Sequence, residues 1–182
     1  MASGDLTLSI LGLLGEGPMH GYELKSRILE LSGHLRPVSD GALYPAISRL
    51  EKAGHVERHE EEGTGAARRQ VLTLTEAGRR ELLRRLQEPD DFDISDQTRF
   101  FGLLTFLSQL ADSAAQVRLL RRRLDFLETP AGFFYRDGRP LRAEEVSDPF
   151  RQGVLLVARA TGTAERQWLR QTIKALEDED PG

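Results

Sequence analysis

The chain of 182 residues is 39% hydrophobic with a formal net charge of −4, enough apolar content to bury a core in one ordinary domain or two small ones. It contains no cysteine, which excludes disulfides, thiolate metal sites and cysteine nucleophiles, and its 4 scattered histidines leave little for zinc. No apolar run approaches the roughly 20 residues of a membrane span and the N-terminus lacks the charged-then-apolar layout of a signal peptide, so a cytoplasmic protein is expected.

The first element is a helix over Leu6–Leu14, where Leu6, Ile10, Leu13 and Leu14 share a face until Gly15, Gly17 and Pro18 end it. A second helix is predicted from Gly21 to Leu31, with Leu24, Ile28 and Leu31 inward and Gly33 as its stop. The third, Ser39 to Gly54, organises the rest. At about 100° per residue it puts Leu43, Ile47 and Leu50 on one stripe beside Ala46. Its opposite face carries Gly41, Pro45, Ser48 and Lys52, flanked by Tyr44 and Arg49, so small groups come first and hydrogen-bonding and cationic groups follow. Ser39 or Asp40 caps its start and Gly54 is its left-handed stop. Pro45 removes one amide donor, so regular helical bonding is expected only after the first turn.

After Gly54 the period changes. His55–His59 and Gln70–Leu74 alternate, and a connector with Gly63, Thr64 and Gly65 at its tip joins them as two strands. Helix, helix, helix, strand, loop, strand is the order of a winged helix-turn-helix. Thr75 then caps a helix with Leu82, Leu83 and Leu86 on one stripe. Pro89 and Asp90, Asp91 and Asp93 read as a polar break and the domain boundary, giving domains 1–88 and 89–182. Beyond it, Ser95–Leu110 is a Phe- and Leu-rich helix, and Ser113 with Gln116 has capping-box spacing ahead of another. Thr129–Ser147 reads as loop, Ser147 or Asp148 starts a last long helix with Pro149 in its first turn, and the terminal Glu177–Gly182 is expected to fray. The fold class is mainly α with a small β-wing.

In such a fold the second helix of the motif enters the major groove while the preceding one braces on the backbone. Tyr22 and Lys25 would then lie near phosphate, Tyr22 reading equally well as a half-buried packing residue. On the third helix Ser39, Tyr44 and Ser48 can donate to phosphates or base edges, Arg49 and Lys52 add charge, and Gly41, Ala42 and Pro45 allow close approach. Arg68 and Arg69 follow the wing tip, where guanidinium forks suit phosphate or minor-groove contact, the alternative being a solvated doublet. Composition does not announce this: residues 1–87 hold 12 Lys+Arg against 12 Asp+Glu, and residues 88–182 hold 13 against 17, so a binding surface has to come from local clustering.

Other constellations carry no chemistry. His55 and His59 sit about 13 Å apart on a strand and cannot share an ion. Arg121, Arg122 and Arg123 read as a solvated flank, with Leu119, Leu120 and Leu124 packing. No paired carboxylates, nucleophile motif or phosphate loop appears, so no enzyme, metal or cofactor is expected. In the second half, Phe92, Phe100, Phe101, Phe106, Phe133, Phe134 and Tyr135 and the single Trp168 suggest a seam between two subunits or a pocket.

Gly17-Pro18-Met19-His20-Gly21-Tyr22-Glu23-Leu24, then Ser39 to Gly54, then Arg68-Arg69 to Leu72-Thr73-Leu74-Thr75-Glu76-Ala77-Gly78, together resemble the PadR family of bacterial transcriptional regulators. The second half looks like the longer helical C-terminal domain of one branch. The resemblance implies a homodimer on a palindromic operator, held together by the C-terminal helices and mostly repressing. It also implies release by a small, often aromatic or phenolic ligand, for which Phe100, Phe101, Phe106 and Trp168 are the candidates. Tyr22, Ser39, Tyr44, Ser48 and the basic wing match the family's DNA-contacting positions; the wing departs from its pattern in lacking proline and aromatic residues after the glycine. The near-neutral first half leaves a second reading, a winged-helix module that binds protein rather than DNA.

Overall fold

The computed structural model describes residues 3–31, 38–61, 69–129, 135–136 and 138–179. Contacts divide the chain into two units, residues 1–111 and 112–182.

Helix α1 (Ser3–Glu16) is the spine of the first unit. Its Leu6, Leu8, Ile10, Leu11, Leu13 and Leu14 are all buried, because a helix apolar on every side has to be covered on every side. Around it lie α2 (Gly21–Leu31), α3 (Asp40–Lys52), α4 (Glu76–Gln87) and α6 (Gln97–Phe106). The bounds of α2 are those the periodicity predicts, with Leu24 and Ile28 buried; Leu31, expected inward, is exposed, and Gly33 lies outside the described residues.

The sheet has three strands rather than two. β2 (Val56–Glu61) and β3 (Arg69–Leu74) pair antiparallel from Val56↔Leu74 to Glu61↔Arg69. β1 (Met19–His20) joins the other edge of β3 in the register Met19↔Leu72 and His20↔Val71, giving the order β1-β3-β2. Two residues are too short to show an alternation, so this strand leaves no trace in the periodicity. Thr75 caps α4 as expected, accepting from the Gly78 amide at 3.0 Å while its hydroxyl donates to the Gly54 carbonyl at 2.6 Å.

Pro89 to Asp93 is not a break. Pro89 is buried, and the Asp90 carboxylate accepts from the Asp93 amide at 2.7 Å to start α5 (Asp91–Ser95). The segment from 89 to 110, placed by sequence beyond the domain boundary, therefore packs in the first unit. There Phe106 lies over Gly12, where a β-carbon would stand 2.5 Å from its ring, and Gln109 Nε2 donates to the Gly12 carbonyl at 2.8 Å.

In the second unit α7 (Ser113–Glu128) is capped by Asp112, not Ser113; the Asp112 carboxylate accepts from the Ala115 amide at 3.0 Å. α8 (Pro149–Glu179) runs antiparallel to it, since Arg121 pairs with Glu177 while the later Glu128 pairs with the earlier Arg170. The cap of α8 is Asp148, accepting from the amides of Phe150 and Arg151 at 2.9 Å. Glu177 to Glu179 remain helical instead of fraying. The expected loop between the helices holds a short hairpin, β4 (Tyr135–Arg136) with β5 (Arg139–Pro140), and a single 3₁₀ turn at Ala143–Glu145. Leu141 and Ala143 bury against Leu155 of α8.

Arg123 corrects the sequence reading most sharply. It is 2% exposed, and its guanidinium forks onto Glu165, Nε to Oε1 at 2.7 Å and Nη2 to Oε2 at 3.3 Å. Only Arg121 and Arg122 of that trio are exposed.

Candidate nucleic-acid interface

Helix α3 is two-sided. Leu43, Ala46, Ile47 and Leu50 are buried, each of the larger three worth about 1.5–3 kcal/mol against leaving it in water. That anchors the helix and turns Ser39, Gly41, Ala42, Tyr44, Pro45, Arg49 and Lys52 outward, with Ser48 half-buried. Pro45 does not delay the helix. The amides of Ala42 and Leu43 already bond to the Ser39 carbonyl at 3.0 Å, so the first turn closes ahead of Pro45 and the proline removes only the bond its own amide would have given the Gly41 carbonyl. Gly54, at φ 73°, ends the helix region in the left-handed conformation expected of it.

The first turn is unusually bare. Ser39 stands at the N-cap but its side chain makes no capping bond. A β-carbon on Gly41 would meet nothing closer than the Ser39 hydroxyl at 3.9 Å. Lys25 of α2, expected on phosphate, reaches Asp40 instead, Nζ to Oδ1 at 2.7 Å. At the other end Arg49 and Lys52 have no ion-pair partner among the described residues.

Tyr22 settles the choice between packing and presentation: it is 66% exposed, and Tyr44 is 47% exposed. The two flank one groove, lined also by His20, Ile47, Arg58 and Gln70, with a volume of about 390 Å³. His20 stacks on Tyr22 with ring centroids 5.5 Å apart, and the Tyr44 ring covers Gly21, 3.5 Å from where a β-carbon would be. His20 Nδ1 lies 3.1 Å from the Gln70 carbonyl, which can only accept, so Nδ1 carries the proton. Arg58 ties β2 to α3 and β3 together: Nε and Nη2 donate to Glu51 at 2.8 and 2.9 Å, and Nη1 to Gln70 Oε1 at 2.8 Å.

Arg58 and Gln70 were not among the sequence candidates. Their only signal is the strand alternation, which does not say what lies across the ladder.

Arg68 lies outside the described residues, and Arg69 is described only through its backbone pairing with Glu61. Of the aromatic candidates in the second half, Phe100 and Phe106 are buried at 0% and 1% exposure in the first unit's core, so they are not surface groups. Phe101 and Trp168 are exposed; Phe133 and Phe134 lie outside the described residues. Among the described residues no group of three His, Asp or Glu is arranged to hold a metal ion, and no helix is long and apolar enough to cross a membrane.

Comparison with known proteins gives this surface a context. Residues 10–84 match the transcriptional regulator PadR-like family. An uncharacterized 37.1 kDa protein in transposon TN4556 of Streptomyces fradiae is 40% identical over 85 residues, 47% of this chain; the chain covers only 23% of that relative. A transcriptional regulator from Clostridium thermocellum is 32% identical, covering 43% of this chain and 76% of its own, with a TM-score of 0.40. Bacillus subtilis PadR, solved in complex with operator DNA, is 21% identical over 92% of this chain and 97% of its own, with a TM-score of 0.45.

Proposed function

Because the chain belongs to the transcriptional regulator PadR-like family through its residues 10–84, we propose that it is a DNA-binding repressor that holds a palindromic operator as a homodimer. A small aromatic or phenolic ligand releases it. The observation that supports the DNA reading is the two-sidedness of α3, whose buried stripe fixes it to α1 while Gly41, Tyr44, Pro45 and Lys52 stay exposed. A helix so bare at its start can bring its backbone close to base edges, and Tyr22 and Lys25 on α2 flank it where the bracing helix meets phosphate.

The dimer reading is supported by α8. Beside the stripe that α7 covers, Phe150, Val154, Val157, Thr161, Ala164 and Trp168 form a second stripe that is exposed along its length. Their alternate spacing of four and three residues is that of a helix seam, and Phe150 is 83% and Val157 67% exposed. A second copy of the chain fits that pattern. DNA contact is assigned to residues up to 88 and dimerisation to the helices of the second unit, from residue 112 on, acting in the cytoplasm. Two recognition helices then have to stand about 34 Å apart to enter successive major grooves, and an effector acts by preferring one spacing over another.

A mobility-shift titration at moderate salt tests the whole reading. The purified chain is expected to retain its own promoter DNA in preference to scrambled duplex of equal length; equal retention of both would reject it.

A further inference from the structure

Resting on the DNA reading above, we propose that Asp40 is a specificity-determining residue, a carboxylate that selects a cytosine amino group in each half-site, and that Lys25 offsets the repulsion between that carboxylate and the DNA backbone. The reasoning begins with what the first turn of α3 lacks. Between Ser39 and Leu43, Gly41 and Ala42 carry no polar atoms, and Leu43 is fully buried. Ser39 and Asp40 are therefore the only side chains in that turn able to hydrogen-bond to a base, and only Asp40 is charged. The residues at the start of a recognition helix are those nearest the base edges.

An ionised carboxylate only accepts hydrogen bonds. Facing the major groove it is matched by the N4 amino group of cytosine and opposed by the O6 and N7 acceptors of guanine and the O4 of thymine. A free carboxylate there would also be repelled by phosphate. Lys25 offsets this: its ammonium group sits 2.7 Å from Asp40 Oδ1, with side chains 40% and 64% exposed. The exposure keeps the pair open to a duplex, and the single contact leaves Oδ2 unengaged by Lys25. The ammonium can bridge the carboxylate and the nearest phosphate, so Lys25 supplies sequence-independent affinity and Asp40 the choice of base.

The experiment is selection from a randomised duplex library with the full chain, comparing wild type with Asp40→Asn, Asp40→Ala and Lys25→Met, each checked for an unchanged melting temperature. The wild type is expected to enrich a motif with cytosine at one symmetric position per half-site. Asp40→Asn should move that position toward adenine, whose N6 and N7 an amide matches, by about tenfold. Asp40→Ala should flatten that position alone. Lys25→Met should keep the cytosine but weaken binding to all sequences, lowering the slope of log affinity against log salt by about one. Identical motifs for wild type and Asp40→Asn would overturn the proposal, as would a uniform gain in affinity for every duplex with Asp40→Ala. A wild type that enriches no motif would overturn the DNA reading itself and this inference with it.

Discussion

Gly78 lies against the carbonyl of His55: a β-carbon built on it would stand 2.0 Å from that oxygen. The same carbonyl accepts from the Thr75 amide at 3.1 Å, so the chain leaving the wing is clamped to the chain entering it. The Leu74 side chain beside it can swing away but the His55 backbone cannot, so Gly78→Ala is expected to cost about 1–3 kcal/mol, a fall of roughly 2–10 °C in melting temperature for a chain of this size. Calorimetry checks it; an unchanged melting point would mean that the α4 start moves freely.

The ion pair between Arg123 and Glu165 is buried on both sides, with side chains 3% and 7% exposed, and the guanidinium also lies 5.5 Å from the Phe126 ring centroid. Removing one partner strands the other charge. Arg123→Met is therefore expected to lose about 3–5 kcal/mol, while adding Glu165→Leu recovers most of that loss. Urea titration of the single and double variants reads both.

Acid should weaken the first unit through Glu81. Its hydrogen bond from Arg84, first, and the nearby charges of Arg85 and Arg84 hold its carboxyl at about 2, below the ordinary value of 4.5. A carboxyl depressed in the folded state stabilises above its unfolded value, and that contribution is lost as pH falls from about 4.5 to about 2. The gap in melting temperature between wild type and Glu81→Gln should close over that window. A gap that is constant with pH would count against the Arg84 contact.

The α8 stripe carries its own reporter, since Trp168 is the single tryptophan of the chain and is 43% exposed in one copy. If two copies meet there, dilution should shift its emission to the red as it becomes exposed to water. Val157→Glu should give a particle of half the mass in sedimentation with helix content retained.

Charge reversal of Arg68 and Arg69 separates the two readings of the winged helix. Changing both to Glu should abolish the promoter shift, because two attractions to phosphate become two repulsions. A module that binds protein through another face would keep its partner after the same change.

Much of this architecture was readable from residues alone. The apolar spacing of Leu43, Ile47 and Leu50, the Thr75 cap and the Gly54 stop are local, so sequence shows them directly. What it hid depends on distant partners. Arg123 follows Leu119 by four residues and Leu120 by three, both buried, which places it on an inward face; nothing nearby in the chain says that Glu165 waits there. Asp90 looked like part of a solvated acidic run because its role, accepting from an amide three residues on, is also that of any surface aspartate. Phe100 and Phe106 looked like part of a subunit seam or a pocket since sequence does not reveal that Gly12 leaves room for a ring. Of the candidate site, the outward face of α3 was foreseen, whereas the bond from Lys25 to Asp40 and the Arg58 bridge needed three dimensions.

The fit of Phe106 over Gly12 sets the smallest piece of this chain that can stand alone. Cutting at residue 88 would strip Phe100, Leu103 and Phe106 from α1, about 1.5–3 kcal/mol apiece out of the roughly 5–15 kcal/mol that keeps a domain folded. The shortened fragment would keep every group proposed above to touch DNA and yet bare an oily flank to water, so anyone wishing to study the wing in isolation should carry the chain on through Leu110.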